Sequence, residues 1–107
     1  MNHMVRNVGA ALVAVMLASS VSFAQSSTEA LYKSKCQMCH GEKGMADSTA
    51  GKSMKVKPAT DADVKKMSEA QMVEAVENGM GKMQPYKGKL TDAQIKDLVG
   101  HFRTFVK

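Results

Sequence analysis

The chain has 107 residues, a formal net charge of +5, two cysteines and no tryptophan. A domain of this size has a thin core, because short chains bury only about 60% of the surface that they expose when unfolded. Two cysteines three positions apart cannot supply the several disulfides that usually support small exported domains. The composition therefore predicts one domain whose fold depends on a bound cofactor.

The first 24 residues have the layout of a secretory signal peptide. Arg6 supplies a positive charge, an uncharged apolar run extends from residue 8 to residue 18, and Ser22 and Ala24 form a cleavage pattern of small residues. The run of 11 residues is shorter than the roughly 20 that a membrane-spanning helix needs. We therefore expect cleavage after Ala24 and export of residues 25–107 to the periplasm or beyond. An uncleaved membrane anchor is the competing interpretation.

A first helix is predicted immediately before the two cysteines. Ser26 or Ser27 can cap its start, and Leu31 and Tyr32 begin an apolar face. This helix would deliver the chain into the cysteine motif.

The cysteines lie in Cys36-Gln37-Met38-Cys39-His40, the pattern that attaches c-type haem. At positions i, i+3 and i+4, the two thiols and the imidazole project from one face of a helical turn. Both thiols can then meet the haem vinyl groups while the imidazole reaches the iron. A redox-active cysteine pair would need a βαβ pattern around the motif, and a zinc site would need a second pair of ligands. The sequence from residue 25 onwards contains neither.

The segment after the motif is predicted to be an irregular loop up to residue 58, since Gly41, Gly44 and Gly51 interrupt any apolar periodicity. A short helical turn is expected over residues 61–67. No convincing strand pattern, internal repeat or low-complexity linker occurs, so we predict one all-α domain.

Two capping boxes predict two longer helices. Ser68-Glu69-Ala70-Gln71 begins one that stops at Gly79, and Thr91-Asp92-Ala93-Gln94 begins the last one. The last helix is amphipathic, with apolar residues three and four positions apart: Ile95, Leu98, Val99, Phe102 and Val106. Gly100 lies inside it, where glycine costs roughly 1 kcal/mol relative to alanine. We expect a close crossing with the first helix at this glycine.

Three segments together resemble a small bacterial class I c-type cytochrome: Cys36 to Gly41, Gly79 to Tyr86, and Leu90 to Val99. The resemblance covers nearly all of residues 25–107. It implies an all-α cytochrome c fold, in which the N- and C-terminal helices cross around one covalently bound haem c. It also implies a methionine loop before the last helix that supplies the sixth iron ligand, and a role in electron transfer.

Met83 is the predicted sixth ligand, with His40 as the fifth. Gly81 and Lys82 precede Met83, while Pro85 follows, and such a helix-incompatible segment can hold a thioether against iron.

The sequence leaves other sulfur and imidazole ligands to consider. Met80 is the alternative ligand, because Gln84 separates Met83 from the proline that directly follows the methionine in many family members. Met54, Met67 and Met72 are interpreted as residues that pack in the haem pocket or in the core. His101 could also ligate iron, but its position beside apolar residues favours a boundary role.

His40 should have a hydrogen-bond acceptor for its second ring nitrogen, since ligating histidines normally have one.

Ligation by histidine and methionine would fill both axial positions, so we predict an electron carrier and not an enzyme. We also expect the protein to be a monomer. Lysines in loops and beside the motifs would attract a redox partner with an acidic surface, although they could equally serve solubility. They are Lys33, Lys35, Lys43, Lys52, Lys55, Lys57, Lys82, Lys87 and Lys89. No nucleic-acid-binding motif is present. The alternatives are a dedicated haem subunit of a larger oxidoreductase, or a haem sensor or peroxidase-like protein with an open sixth position.

Overall fold

The computed structural model describes residues 27–107. The predicted signal peptide and the Ser26 cap lie outside these residues. Six helices follow one another in the described part: α1 over residues 27–35, α2 Gln37–His40, α3 Thr49–Ser53, α4 Ala62–Lys66, α5 Glu69–Asn78 and α6 Asp92–Arg103. Residues 27–107 contain isolated bridges but no β-strand, which confirms the all-α prediction. None of the helices described is long and apolar enough to cross a membrane.

Helix α1 is held by Tyr32, whose side chain is buried. Its ring lies 4.8 Å from the ring of His101 on α6 and 5.9 Å from that of Phe105, measured between centroids. Its hydroxyl donates a 2.7 Å hydrogen bond to the carbonyl of Gly41, directly after α2. One side chain therefore fixes the first helix to both the last helix and the cysteine motif.

Helices α5 and α6 begin at the predicted capping boxes. The hydroxyl of Ser68 accepts from the N–H of Gln71, whose side chain accepts from the N–H of Ser68. Thr91 and Gln94 make the same reciprocal pair at the start of α6. Two otherwise unpaired donors are satisfied at each helix start, which explains why both helices begin where the sequence predicts. The predicted turn over residues 61–67 is also present, as α4 capped by Asp61.

The hydrophobic core lies between α5 and α6. Met72, Ile95 and Val99 are its buried centre. Partly buried apolar residues surround them: Val64, Met67, Val73, Val76, Leu90, Phe102 and Val106. This pairing accounts for the apolar faces that the two helices show in sequence.

Helix α3 lies within the segment predicted to be an irregular loop, so that part of the prediction was wrong. Ser48 caps the helix by accepting from the N–H of Gly51 at 3.0 Å. Gly51 is buried, and a Cβ added there would overlap the carbonyl oxygen of Cys39. The helix therefore packs its backbone against α2. With five residues and no apolar stripe, it shows none of the periodicity on which the prediction relied.

The predicted close crossing at Gly100 was also wrong. Gly100 is exposed, and a Cβ built on it meets no atom of residues 27–107 within 4 Å. Helix α1 instead meets α6 through the rings of Tyr32 and His101. Such bulky groups provide the contact without a small residue at the helix surface.

Candidate functional site

A cavity of about 1060 Å³ lies between the cysteine motif, α5, the loop after α5 and α6. Its wall includes Cys36, Cys39 and His40, and also Met80 and Met83 from the loop. The structure thus brings the predicted attachment residues, the fifth ligand and both candidate sixth ligands to one space. A flat group with an iron centre fits this volume and this set of sulfur and nitrogen donors.

The cysteine motif forms the predicted helical turn. Cys36 stands at the N-cap of α2, and the N–H of His40 donates to its carbonyl at 3.0 Å. No disulfide joins the two cysteines. Among residues 27–107, no cluster of three or more His, Cys, Asp or Glu residues could hold a metal ion.

Burial favours the uncharged forms of Cys36 and His40. It raises the pKa of the Cys36 thiol to about 11, because a thiolate loses hydration in this apolar setting. It also lowers the pKa of His40 for the same reason, since the imidazolium is the charged form. A neutral imidazole is the form that binds a metal.

The ring of His40 packs against an aromatic ring, and the nearby backbone carbonyls already accept hydrogen bonds from other residues. Its ring meets that of Phe102 edge-on, with the centroids 5.3 Å apart. Its Nδ1 is buried and has no hydrogen-bond partner among the described residues, so the predicted acceptor is not found. The nearby Gly41 carbonyl accepts from Tyr32, and the carbonyl of His40 accepts from Ala46. The ring is positioned by packing within the described part of the chain.

The second cysteine of the motif has a sulfur neighbour that the sequence did not reveal. The Sγ of Cys39 lies 3.9 Å from the Sδ of Met54, the C-cap of α3. Met54 also lines the cavity. Its predicted packing role agrees with this contact, which forms because α3 packs against α2.

The loop after α5 contains the methionines at the base of a tight turn. The backbone N–H groups of Met80 and Met83 each donate to the carbonyl of the other, at 3.2 and 3.0 Å. The Met80 side chain is 62% exposed, whereas that of Met83 is half-buried. Burial therefore favours Met83 as the residue facing a bound group.

Two residues hold this loop against the helices. Gly79 has φ +79°, and a Cβ there would lie 2.6 Å from the carbonyl oxygen of Met83, so only glycine fits. The N–H of Tyr86 donates to the carbonyl of Val76 at 2.9 Å, and its hydroxyl donates to that of Lys35 at 3.1 Å. The loop is thereby tied to both α5 and α1.

His101 is not part of the cavity wall. Its ring packs against those of Tyr32 and Phe105, with the centroids 4.8 and 5.2 Å away. The packing interpretation therefore accounts for this histidine better than a role as an iron ligand.

Three of the predicted lysines line the cavity: Lys55, Lys57 and Lys82. The Nζ of Lys57 lies 2.7 Å from the Asp63 carboxylate. The other two form no ion pair with a described residue. Lys55 and Lys82 thus stand at the cavity wall without an ion-pair partner among the described residues.

Comparison with known proteins agrees with this geometry. The family model described as cytochrome c oxidase, cbb3-type, subunit III, matches residues 24–101. A solved structure, the KustC0563 c-type cytochrome, superimposes with a TM-score of 0.66 at 32% sequence identity. The similarity covers 74% of this chain and 96% of that one. No protein of curated function matches the chain significantly. These similarities confirm the predicted cytochrome c fold.

Proposed function

This chain belongs to the c-type cytochrome family described as cytochrome c oxidase, cbb3-type, subunit III, and from this premise we propose that it is an exported carrier of single electrons. A c-type cytochrome is a haem protein of electron transfer. Its haem iron supplies a change between ferric and ferrous states by one electron. The proposal assigns this chain one haem c, attached through thioether bonds to Cys36 and Cys39.

The observation that carries the proposal is the shared cavity. Cys36, Cys39, His40 and Met83 come from two segments more than 40 residues apart, yet they line one space. His40 would be one axial ligand through its neutral imidazole, and Met83 would be the other through its thioether. With both axial positions taken by the chain, no position remains for oxygen or peroxide, which supports a carrier over a catalyst.

The proposed location rests on the signal-peptide pattern of residues 1–24, and the proposed partner rests on the lysines of the cavity wall. Residues 1–24 would be removed as a signal peptide, leaving residues 25–107 as one mono-haem domain in the periplasm or another exported location. Export is typical of c-type cytochromes. The uncompensated charges of Lys55 and Lys82 support a redox partner with an acidic surface.

A second candidate is a dedicated haem subunit of a larger oxidoreductase. The family's description as an oxidase subunit favours it. A carrier would be recovered alone from the native host, whereas a subunit would copurify with one enzyme in fixed proportion.

The first test of the proposal is the covalent attachment of haem to the mature holoprotein. Acid-acetone extraction should leave the colour with the polypeptide. Haem that extracts freely would overturn the proposal.

The second test distinguishes the two methionines and fixes the function. Ferric wild-type protein should show the near-infrared charge-transfer band of methionine-ligated haem. Met83→Ala should abolish this band, lower the reduction potential and allow azide or carbon monoxide to bind. Met80→Ala is the matched control and should retain the band, because the Met80 side chain is largely exposed.

Two results would contradict this assignment. Loss of the band in Met80→Ala would identify Met80 as the ligand in place of Met83, but the proposed carrier function would stand. Absence of the band in wild type, with ready binding of external ligands, would replace the carrier with a sensor or a peroxidase-like protein.

A further inference from the structure

The segment that ends α3 contains an unusual lysine. Lys55 has φ +55°, in the left-handed region. Its N–H donates to the carbonyl of Lys52 at 3.2 Å, and the N–H of Val56 donates to that of Gly51 at 2.9 Å. These two hydrogen bonds form a Schellman motif, whose left-handed position is normally glycine because a Cβ is strained there. Lysine therefore occupies a position where glycine would be more stable.

Packing does not explain this lysine. The other non-glycine residue with positive φ in the described part of the chain is Ala46, which is 7% exposed and so has a buried methyl group to account for it. Lys55 is exposed. Strain held at an exposed residue points to a function of its side chain.

The charge of Lys55 is also uncompensated. It lines the cavity, as do two carboxylates, those of Asp63 and Glu74. Asp63 is paired with Lys57, and no described carboxylate lies within 4.0 Å of Lys55. Lys82 is equally unpaired, but there the neighbouring Gly81 takes the left-handed position at φ +58°. Lys55 alone combines a free charge with backbone strain among the lysines of the cavity wall.

Lys55 stands next to one of the predicted attachment points. It directly follows Met54, whose sulfur is 3.9 Å from that of Cys39. The part of the cavity wall that bears Lys55 therefore adjoins a residue that contacts Cys39, one of the proposed attachment points. A group bound against this ammonium would lie close to the edge of the macrocycle, where electron transfer over a short distance is favoured.

We propose that Lys55 is the main docking cation of this protein, and that it binds a carboxylate of an acidic redox protein beside the Cys39 edge of the cavity. This inference rests on the proposed function and adds to it the contact through which the partner is oriented. Among the lysines of the chain, Lys55 is singled out because it occupies a strained backbone position. The attraction would weaken as salt rises, because the site is exposed.

The test uses the reduced holoprotein and two small oxidants of opposite charge, ferricyanide and tris(phenanthroline)cobalt(III). Lys55→Gln removes the charge, and Lys52→Gln is the control, since Lys52 is exposed on α3 three residues before Lys55 but outside the cavity wall. At low salt, Lys55→Gln should slow oxidation by ferricyanide roughly threefold and accelerate oxidation by the cobalt complex. High salt should abolish both differences, and Lys52→Gln should leave both rates near those of wild type.

A third variant separates charge from strain. Oxidation by ferricyanide should be as slow in Lys55→Gly as in Lys55→Gln. The thermal unfolding midpoint of Lys55→Gly should rise above that of wild type. No rise in the midpoint would overturn the argument from strain. Equal rate changes in the Lys55 and Lys52 variants would overturn the docking assignment, because they would reflect overall charge alone.

The reduction potential tests whether Lys55 instead binds the carboxylates of the haem. At high salt the reduction potential of Lys55→Gln should stay within error of wild type, because salt screens the charge of an exposed lysine. A lowered potential with unchanged oxidant ratios would assign the ammonium to the carboxylates of the haem itself and overturn the proposal. Failure of the wild-type chain to bind haem covalently would instead reject the proposed function, a result separable from every outcome above.

Discussion

The segment from Cys36 to Ala59 and the pair of helices α5 and α6 are stabilised in different ways. The helix pair buries apolar side chains against each other, centred on Met72, Ile95 and Val99. The cysteine segment has Ala46 and Ala59 as its buried apolar residues, and both are small. It is held by backbone contacts, such as the 2.7 Å hydrogen bond from the N–H of Ala59 to the carbonyl of Gly44.

This difference indicates which half needs the cofactor. Burial of large apolar side chains is the main favourable term in folding, and the cysteine segment has few of them. Its cavity-facing residues would gain their burial from a bound haem. Helices α5 and α6 can bury part of their surface without it. We therefore expect the two regions to respond differently when haem attachment or close packing is disrupted.

The largest expected effect comes from removing the attachment points. The double variant Cys36→Ser, Cys39→Ser should lose its haem and most of its helical circular dichroism. Ordering the backbone costs roughly 1 to 2 kcal/mol per residue, which a core this small cannot offset alone. Residual helix should map by amide hydrogen exchange to α5 and α6.

The control for this variant is Met38→Ala, between the two cysteines. The side chain of Met38 is 74% exposed, so its loss should leave haem attachment and helicity unchanged. A cooperative, fully helical apoprotein would contradict the comparison, since both halves would then fold without the cofactor.

A smaller effect is expected from a pair of helical glycines that lie in the two regions. Gly51→Ala in α3 would force a methyl group against the carbonyls of Cys39 and Ala46. Such overpacking typically costs about 1–3 kcal/mol of unfolding free energy. Gly100→Ala in α6 meets open space and should stabilise the holoprotein by up to about 1 kcal/mol. Denaturant unfolding of both holoproteins measures the two signs.

Equal effects of the two substitutions would be the wrong result for this comparison. If Gly51→Ala were neutral, α3 would be able to move away from α2, and the backbone contact would not hold the cysteine segment. Met54 would then shift relative to Cys39, and we would expect the haem spectrum of the Gly51→Ala variant to change as well.

The sequence predicted the helix pair better than the cysteine segment for the same physical reason. Capping boxes at Ser68 and Thr91 and an apolar stripe are local signals, and both helices begin where these signals lie. Helix α3 depends on the fit of Gly51 against Cys39, a contact between segments that no local pattern records. The expected crossing at Gly100 failed because ring contacts, not helix spacing, join α1 to α6.

The candidate site shows the same division. The spacing of Cys36, Cys39 and His40 specifies their common face, and the structure places all three at one cavity with Met83. The neighbours of these residues were not predictable, because they come from elsewhere in the chain. Met54 beside Cys39 is one case. The Tyr32 hydroxyl is another, since it takes the Gly41 carbonyl beside His40.

The smallest expected effect concerns the ion pair that links the end of the cysteine segment to α4. Lys57 and Asp63 lie 2.7 Å apart, and both side chains are largely exposed. Their hydrogen bond, together with the charge of each partner, lowers the pKa of Asp63 and raises that of Lys57. The pair therefore stabilises the fold between the two pKa values. Its contribution is lost as pH falls through the lowered pKa of Asp63, or rises through the raised pKa of Lys57.

Exposed ion pairs contribute little, because water and salt screen them and two long side chains must be ordered. Asp63→Asn should therefore leave the unfolding midpoint of the holoprotein within error of wild type at neutral pH and moderate salt. Asp61→Ala is the matched comparison, since it removes the N-cap of α4 and should cost about 1 kcal/mol. Thermal unfolding at pH 7 and pH 3 measures both variants. A clear loss in Asp63→Asn that disappears at pH 3 would mean that this pair holds the cysteine segment to α4 more strongly than an exposed ion pair normally does.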